Sequence, residues 1–338
     1  MNFIYFFIKL FPMQKNKILM MSRQSNEPSI DFKLIEEEIN KRDKNIKVVM
    51  LCKKIPKKFL KRIGYCFYLI KCMYHIATSK ICIVNGYVIP VSVLHHKKTL
   101  IIVQIWHAMG AIKQFGLQIT NKEEGSKRNV AKVMKMHKNY TNIICTSKTT
   151  KKFYAQAFDT DESKILTLGM PRIDYLLGKD GDIDKRVNET YKEYPNLKEK
   201  QNILYVPTFR KDKKIDLSQI ISSFNEEKYN LIIRLHPLDH THVDKKFLID
   251  NKYQTLDLLK IADYVITDYS AIAFEAAILR KKVFFYLYDI QEYEKTRGLN
   301  IDLKKEMSNE TSSDIHEIAE KIEKNYYNEK ELENFRKK

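Results

Sequence analysis

Short apolar runs alternate with helical patterns along most of the chain. In the first half they predict strands at 17–21, 47–52, 80–84, 100–105, 142–146 and 165–168, with helices at 32–42 and 130–138. In the second half they predict strands at 202–206, 231–235, 264–267 and 283–287, with helices at 217–224, 255–261, 271–279 and 315–326. Strands that alternate with helices are typical of parallel α/β architecture.

A polar stretch at 178–200 separates the two series of strands. We therefore predict two Rossmann-like domains, spanning residues 1–190 and 191–338. Neither GxxxxGK[ST] nor GxGxxG occurs in the chain, so the main motifs of a P-loop nucleotidase and of a dinucleotide-binding enzyme are missing.

The segment after Pro56 combines apolar and basic residues at helical spacing. The apolar residues recur at three- and four-residue steps, at Phe59, Ile63, Cys66, Phe67, Ile70, Met73 and Ala77. The basic residues lie near its start, at Lys57, Lys58, Lys61 and Arg62. An amphipathic helix of this kind suits an anionic membrane surface, which is the interpretation we favour. The alternatives are a core helix with a solvated basic edge and a nucleic-acid surface, the latter without a recognisable nucleic-acid motif.

The chain opens on an apolar stretch, residues 1–11, interrupted only by Asn2 and Lys9. It is too short to span a bilayer, and it lacks the basic leader and the small-residue cleavage site of a secretory signal. We expect it to touch the membrane, or to be an upstream extension if translation starts at Met13, Met20 or Met21. No other run approaches the length of a spanning helix, which predicts a soluble or peripheral protein.

The chain is strongly basic, and the excess charge lies in one half. Its 338 residues include 60 Lys and Arg against 42 Asp and Glu, a net charge of +18. Residues 1–180 carry a net +19, residues 181–338 carry a net −1, and no Asp or Glu occurs between Lys44 and Lys122. This division predicts two domains with different partners.

Composition excludes several classes of protein. A hydrophobic fraction of 44% and an aromatic fraction of 11% argue against a disordered chain, and nine Gly and eight Pro exclude collagen-like and linker-rich classes. The five cysteines form no CxxC pair, which predicts reduced thiols in a cytosolic protein.

Polar residues follow three predicted strands of the second half. Thr208 and Arg210 follow the first, Arg234 and His236 end the second, and Asp268 and Ser270 follow the third. In extended backbone, residues two apart face the same side, so we expect each pair to project into one crevice at the carboxyl edge of the sheet. Two guanidinium groups there suit a phosphate or a pyrophosphate, and a helix starting at Ala271 adds backbone N–H donors.

A histidine follows the predicted strand 100–105 of the first half, in the sequence Trp106-His107. This position at a strand end suits a general base that takes a proton from an attacking hydroxyl near neutral pH. The alternative for such a histidine, taken alone, is an ordinary hydrogen-bonded polar residue.

Several segments together resemble the CDP-glycerol:poly(glycerophosphate) glycerophosphotransferase family, which builds teichoic acids and related capsular polymers. The segments are VQIWHAMGAIKQFG at 103–116, GMPRID at 169–174, YVPTFR at 205–210, RLHP at 234–237, ADYVITDYS at 262–270, FYLYD at 285–289 and RG at 297–298. They follow the family's order and extend over most of the chain.

The resemblance implies two Rossmann-like domains that face a cleft, the glycosyltransferase B type, in a peripheral enzyme on the cytoplasmic face of the bacterial plasma membrane. The implied reaction moves a polyol phosphate, glycerol phosphate above all, from a CDP-polyol to a hydroxyl of the acceptor, and CMP leaves. The implied acceptor is a polyprenol-linked glycan or a polyol phosphate at an anionic membrane surface. No cofactor, metal ion or nucleic acid is implied.

The resemblance also implies roles for individual residues. The family's two important histidines match His107, which we expect to be the general base, and His236, which we assign with several basic residues to the donor phosphates. The implied donor-binding residues are Thr208, Arg210, Arg234, Asp268, Ser270, Arg297 and Gly298. On the acceptor side of the cleft, the implied residues are Trp106, Gly110 and Lys113.

Two positions depart from the family pattern, since Ala271 stands where Ser is frequent and Glu275 where Asp is frequent. The absence of a long N-terminal extension favours a primase or a short polymerase over a multi-module enzyme. The alternatives to a glycerol-phosphate transferase are a CDP-ribitol-specific phosphotransferase, a nucleotide-sugar glycosyltransferase of the same fold, and a non-catalytic basic adaptor.

Overall fold

The computed structural model describes residues 1–56, 58–178, 181–210 and 215–337. The chain divides into two compact units. The N-terminal unit comprises Met1–His107 and Gln114–Arg172, and the C-terminal unit comprises Ala108–Lys113 and Ile173–Lys338. This division falls earlier than the expected boundary after residue 190.

Contacts of the predicted interdomain stretch explain why the division falls early. The stretch contains a helix, Asp182–Glu193, rather than a linker. Arg186 of this helix lies 3.6 Å from the buried carboxylate of Asp257, and the Tyr175 hydroxyl donates a hydrogen bond to the same carboxylate. These contacts fix the stretch within the C-terminal unit.

The N-terminal unit is built on a parallel sheet of six strands in the described residues. The strands are β1 (Gln14–Ser22), β2 (Lys47–Cys52), β3 (Ser79–Val84), β4 (Ile101–Gln104), β5 (Asn142–Cys145) and β6 (Ile165–Thr167). Their order across the sheet is β2-β1-β3-β4-β5-β6. The carboxyl ends of β1, β3 and β4 are therefore neighbours at one edge of the sheet.

Helices cover this sheet, and local features such as capping side chains and positive φ angles set where they begin and end. They are α1 (Asn2–Ile8), α2 (Ile30–Arg42), α3 (Phe59–Thr78), α4 (Ile89–Val93), α5 (Arg128–Val133) and α6 (Lys151–Phe158), with 3-10 turns at Gly116–Ile119 and Glu162–Lys164. The Ser29 side chain accepts the Phe32 N–H and caps α2, and Phe32 packs with Met20 and Ile105 in the core. The predicted helix 130–138 is shorter in the structure, because Lys135 and His137 adopt positive φ angles of 45° and 62°.

The C-terminal unit contains a five-stranded parallel sheet in the described residues. The strands are β7 (Gln201–Val206), β8 (Tyr229–Ile233), β9 (Tyr264–Thr267), β10 (Lys282–Tyr286) and β11 (Thr311–Ser312), in the order β11-β10-β9-β7-β8. All the predicted strands of this half are present, and β11 was not predicted because two residues give no periodic signal. Buried side chains such as Ile203, Tyr205 and Ile266 form the core.

The helices of this unit are short for the most part. They are α7 (Arg172–Leu176), which begins at the division between the units, α8 (Asp182–Glu193), α9 (Ser218–Ser222), α10 (Thr255–Ile261), α11 (Ile272–Ile278), α12 (Ile290–Thr296), α13 (Leu303–Glu306), α14 (Ile315–Glu323) and α15 (Glu329–Arg336), with 3-10 turns at Pro195–Lys198 and Lys245–Phe247. The apolar side of α14, including Ile318 and Ile322, packs against the core under β10. The predicted α/β class is thus observed in both units.

Candidate active site

Trp106 and His107 follow β4 in a strained turn of the N-terminal unit. Trp106 has a φ angle of 56°, a left-handed conformation that costs a bulky residue about 1–3 kcal/mol. Its N–H donates to the Gln104 side-chain oxygen at 2.9 Å, and the Gln104 amide donates to the Gly86 carbonyl at 3.0 Å. The buried Gln104 therefore holds the turn in this conformation.

The hydrogen bond of His107 selects its tautomer. Nδ1 of His107 lies 2.9 Å from the backbone oxygen of Asn85. A carbonyl oxygen can only accept a hydrogen bond, so Nδ1 carries the proton and donates it. In the neutral ring, Nε2 is then the nitrogen that accepts a proton, as a general base requires.

Aromatic packing fixes the orientation of His107 and Trp106. The Trp106 ring lies 4.2 Å from the ring of His107, centroid to centroid, and 5.0 Å from that of Phe115. On its other side it contacts Phe158 and His137. Burial, with the positive charge of Arg23 and that of His107 when it is protonated, lowers the pKa of His137 to about 3. His137 is therefore a neutral packing residue at physiological pH.

The second half of the tryptophan-histidine segment, Ala108–Lys113, belongs to the C-terminal unit. Gly110 has a φ angle of 60°, and a Cβ atom there would lie 2.1 Å from the ring of Phe274 in α11. Glycine is required at position 110 for two reasons, the positive φ angle of the backbone and the close approach of the Phe274 ring. Lys113 forms an isolated antiparallel bridge with Leu299, and its carbonyl accepts a hydrogen bond from the Asn300 amide at 3.1 Å.

Arg210 links three strand ends of the C-terminal unit. Its guanidinium donates to Asp268, which follows β9, at 3.0 Å, and to Asp289, which follows β10, at 2.7 Å. It also donates to the carbonyl oxygen of Thr208, which follows β7, at 2.7 Å. Arg210, Asp268 and Asp289 are all buried, with 6% of the Arg210 surface exposed.

Tyrosine rings enclose the same guanidinium. The Arg210 carbon Cζ lies 4.7 Å from the ring of Tyr293 and 5.3 Å from that of Tyr269, and these two rings stack at 3.9 Å. Burial alone would lower the pKa of Arg210, but the hydrogen bonds that it donates to Asp289 and the negative charge of Asp268 outweigh burial and raise that pKa. The geometry therefore favours a positioning role for Arg210, which differs from the phosphate contact expected for it.

Arg234 and His236 lie beyond the end of β8, so strand alternation does not orient them. The strand ends at Ile233, and the Arg234 guanidinium turns to the Asn251 side chain at 2.5 Å and the Tyr253 carbonyl at 3.1 Å. Burial lowers the pKa of Arg234, an effect that the charge of Asp250 opposes. Among the described residues, the buried Nε atom of Arg234 has no hydrogen-bond partner.

His236 has the tautomer opposite to that of His107. Its Nδ1 accepts the Leu238 backbone N–H at 3.2 Å, so a neutral ring carries its proton on Nε2. The ring is exposed and lies 5.4 Å from that of Phe209. The neutral ring of His236 is therefore a hydrogen-bond donor at Nε2.

Other predicted donor-binding residues lie at loop ends of the C-terminal unit. The backbone N–H of Thr208 lies 2.9 Å from both carboxylate oxygens of Asp268, and within the described chain the buried Thr208 hydroxyl has no hydrogen-bond partner. The Ser270 hydroxyl accepts the Ile272 N–H at the start of α11. Arg297 and Gly298 follow α12, and both backbone N–H groups donate to the Tyr293 carbonyl.

The structure brings some predicted residues together and adds others. Thr208, Arg210 and Asp268 form one hydrogen-bonded cluster, whereas Arg234 contacts a different loop. Residues that sequence reasoning missed are Arg23, Gln104, Asn85, Gly86 and His137 in the N-terminal unit and Asp289 in the C-terminal unit. Three of them, Arg23, Asn85 and Gly86, directly follow β1 and β3. They would have been identified if the residues after every predicted strand had been considered, because ligands bind at the carboxyl edge of parallel strands. In the described chain no three His, Cys, Asp or Glu side chains are grouped as metal ligands.

The predicted amphipathic helix is α3, and its apolar stripe is divided. Cys72, Met73, Ile76 and Ala77 are buried in the last turns, whereas Phe59 and Phe67 are 75% and 70% exposed. Lys58, Lys61 and Arg62 are exposed, and Lys57 lies outside the described residues.

Helix α1 extends the exposed apolar surface of α3. Phe3 and Phe6 of α1 are exposed, and Phe11, which follows α1, packs edge to face on Tyr74 of α3 at 5.5 Å. We call the exposed apolar residues of α1 and α3 the apolar surface. In the part of the chain that is described, no helix combines the length and the hydropathy needed to cross a bilayer.

The chain is similar to several known proteins. The family model for CDP-Glycerol:Poly(glycerophosphate) glycerophosphotransferase matches residues 3–338. The chain is 31% identical to the teichoic acid ribitol-phosphate primase of Bacillus spizizenii, over 94% of this chain and 84% of the relative. It is 32% identical to the teichoic acid glycerol-phosphate primase of Bacillus subtilis, over 69% of this chain and 62% of that relative, so less than two thirds of the latter is matched.

A solved structure confirms the fold. The wall teichoic acid polymerase TagF is 21% identical and superposes with a TM-score of 0.73, over 99% of this chain and 87% of that chain. The predicted pair of Rossmann-like domains, as in glycosyltransferase B folds, is therefore confirmed. The family match over nearly the whole length confirms that the chain is a transferase and belongs to the CDP-glycerol:poly(glycerophosphate) glycerophosphotransferase family.

Proposed function

We propose that the protein transfers a polyol phosphate from a CDP-polyol to a hydroxyl group of a teichoic acid acceptor. The observation that carries this proposal is the family match over residues 3–338, which includes the anchored His107. The acceptor oxygen attacks the phosphorus that bears the polyol, and its proton passes to Nε2 of His107. The bond from that phosphorus to the bridging oxygen breaks, a phosphodiester forms, and CMP leaves.

The C-terminal unit offers donors for the two phosphates of the CDP-polyol. We assign this role to the Nε2–H of His236, the Arg234 guanidinium and the Thr208 hydroxyl, which is buried and lacks a partner among the described residues. Buried polar atoms without partners cost free energy unless a ligand satisfies them. Ser270, Arg297 and Gly298 stay assigned to donor binding, and Arg210 and Asp268 hold the loops that carry these groups.

Glycerol phosphate is the transferred group that we favour, and ribitol phosphate is the second candidate. The resemblance in sequence favours glycerol, since the motifs are those of a glycerophosphotransferase family. The likeness to a ribitol-phosphate primase supports ribitol, because that match covers more of both chains than the match to the glycerol-phosphate primase.

We further propose that the protein works on the cytoplasmic face of the bacterial plasma membrane, on an acceptor linked to a polyprenol lipid. The exposed aromatic side chains of the apolar surface, with Lys58, Lys61 and Arg62 beside them, support attachment to an anionic bilayer. Trp106, Gly110 and Lys113 are assigned to the acceptor side, where the backbone is strained or closely packed.

A donor panel tests the proposed function. The full chain is incubated with a lipid-linked acceptor and, in separate reactions, with CDP-glycerol, CDP-ribitol and UDP-N-acetylglucosamine. We expect CMP release with CDP-glycerol or CDP-ribitol and no nucleotide release with the UDP-sugar. Turnover of the UDP-sugar alone would replace the proposal by the glycosyltransferase alternative, and turnover of none would favour the adaptor.

A further inference from the structure

Arg23 is a half-buried cation in the N-terminal unit, one residue after β1. Its guanidinium carbon lies 4.6 Å from the ring of Tyr87. No hydrogen bond or ion pair joins its side chain to another residue in the part of the chain that the structure describes. A guanidinium that has lost part of its hydration and has no carboxylate partner is well suited to bind an anionic ligand.

The neighbours that affect the charge of Arg23 are phenols. Burial lowers the pKa of Arg23, and the neighbours that oppose this effect are the phenols of Tyr87, Tyr65 and Tyr140 rather than carboxylates. The surrounding sequence is consistent with this, since it lacks Asp and Glu between Lys44 and Lys122. Arg23 nevertheless stays charged, because a guanidinium does not lose its proton in proteins. A ligand with negative oxygens would supply the missing partner.

Arg23 and His107 share one edge of the sheet. The strands β1, β3 and β4 that precede Arg23, Asn85 and Trp106 are parallel neighbours, so their carboxyl ends lie side by side. A chain of ring contacts connects the two residues. Tyr87 lies 5.6 Å from His137, His137 lies 6.0 Å from Trp106, and Trp106 lies 4.2 Å from His107.

Gly86 lies between these strand ends and has close neighbours on both sides. A Cβ atom at Gly86 would lie 3.0 Å from the Gln24 amide nitrogen and 3.8 Å from Nδ1 of His107. The residue after Arg23 and the proposed base therefore both border the same point.

We propose that Arg23 binds a phosphate group of the acceptor and so holds the neighbouring hydroxyl at His107. The inference rests on the proposed function and adds a substrate-binding residue to it. Phosphate oxygens match the fork of a guanidinium, and an acceptor built from polyol phosphates carries such a group close to its reactive hydroxyl. The same chemistry is present in the phosphates of the CDP-polyol, so the test separates the two sources.

Kinetic measurements with two acceptors separate binding of the acceptor phosphate from binding of the CDP-polyol phosphates. The acceptors are octyl glycerol phosphate and octyl glycerol, which differ by one phosphate, and the variants are Arg23→Gln and Arg23→Lys. We expect Arg23→Gln to raise KM for the phosphate-bearing acceptor by about 10- to 100-fold, the effect of one charge-assisted hydrogen bond, and to leave KM for octyl glycerol and for the CDP-polyol unchanged. Arg23→Lys should recover part of the loss, since it keeps the charge without the fork.

Several results would overturn the proposal. A rise in KM for the CDP-polyol would assign Arg23 to the donor, and equal effects on the two acceptors would give it a structural role. An unchanged Arg23→Gln variant would remove it from substrate binding altogether. Arg128→Gln, a change at an exposed arginine of the same unit, is the matched control and should behave as wild type.

A binding measurement without turnover keeps this test separate from that of the proposed function. Trp106 is the single tryptophan of the chain, and the ring contacts place it between Arg23 and His107, so its fluorescence reports on this edge. We expect glycerol 3-phosphate to change the fluorescence of wild type and of Arg128→Gln but not of Arg23→Gln. A response that survives in Arg23→Gln contradicts the proposal whether or not any donor is turned over.

Discussion

His107 of the N-terminal unit and His236 of the C-terminal unit carry their protons on opposite nitrogens when their rings are neutral. His107 donates from Nδ1 to the Asn85 carbonyl, and His236 accepts at Nδ1 from the Leu238 N–H. The neutral rings therefore present an acceptor in one case and a donor in the other. This difference supports the proposed roles, in which His107 removes a proton and His236 donates to a phosphate oxygen.

Glutamine substitutions distinguish these roles. His107→Gln and His107→Ala should both lower kcat by about 100- to 10,000-fold, because neither side chain replaces the general base. His236→Gln should retain more activity than His236→Ala, since an amide N–H can still donate to a phosphate oxygen. CMP release under saturating substrates measures kcat. Equal losses in the two His236 variants, or full activity in His107→Gln, would contradict the assignment.

Arg210 is the residue whose replacement should most affect stability. Arg210→Met leaves Asp268 and Asp289 buried without their cation, and breaking such a pair typically costs about 3–5 kcal/mol of the free energy of unfolding. Urea denaturation measures this change. Arg42→Met, which removes an exposed ion pair with Glu38, is the control and should change the free energy of unfolding by less than about 0.5 kcal/mol. Equal stability of the two variants would show that Arg210 does not hold the strand ends together.

At the scale of elements, most strands follow from apolar runs, but their ends do not. The predicted strand at 231–235 ends at Ile233 in the structure, which leaves Arg234 free of the alternation that was expected to orient it. Periodicity reports which residues are buried in a sheet and carries no signal for where a loop turns away. The partnership of Arg210 with Asp289 was not predicted for the same reason, since it joins two loops distant in sequence.

The amphipathic pattern of α3 did not predict which of its apolar residues are buried. The apolar spacing correctly predicted the helix, but it did not distinguish the buried Met73 from the exposed Phe67, because both lie on the same stripe. Which turns are covered depends on the elements packed against them, and the buried residues of α3 lie in its last turns, from Cys72 to Thr78. The division leaves the first turns available for a membrane.

Vesicle sedimentation tests the apolar surface. Replacing Lys58, Lys61 and Arg62 by Gln should weaken binding to anionic vesicles by about fivefold for each charge removed, since each basic residue near such a surface contributes about 1 kcal/mol. Replacing Phe59 and Phe67 by Ser should weaken it further, at any salt concentration.

The matched control uses exposed lysines of the C-terminal unit. Replacing Lys192, Lys304 and Lys305 by Gln removes the same charge and should leave partitioning close to that of wild type. If the three-residue variant of α3 sediments as well as wild type, the helix is not the membrane contact.

At the scale of the whole molecule, the division of charge matches the division of proposed roles. The near-neutral half carries the loops assigned to the CDP-polyol, where individual side chains such as Arg234 and His236 are aimed by hydrogen bonds. The half with a net +19 carries the apolar surface and the edge with Arg23 and His107. Sequence alone predicted the fold class and the family, and it gave His107 as the candidate general base. It did not predict which cations are neutralised inside the protein, because that depends on loop geometry.

The identity of the nucleotide released from CDP-glycerol tests the proposed function most directly. Phosphoryl transfer breaks the bond between the two phosphates and releases CMP, whereas transfer of the bare polyol would release CDP. Phosphorus NMR of the reaction with a lipid-linked acceptor follows both nucleotides and the new phosphodiester. We predict one CMP for each phosphodiester formed, with no CDP. Release of CDP, or of CMP without a phosphodiester, would contradict the proposed transfer.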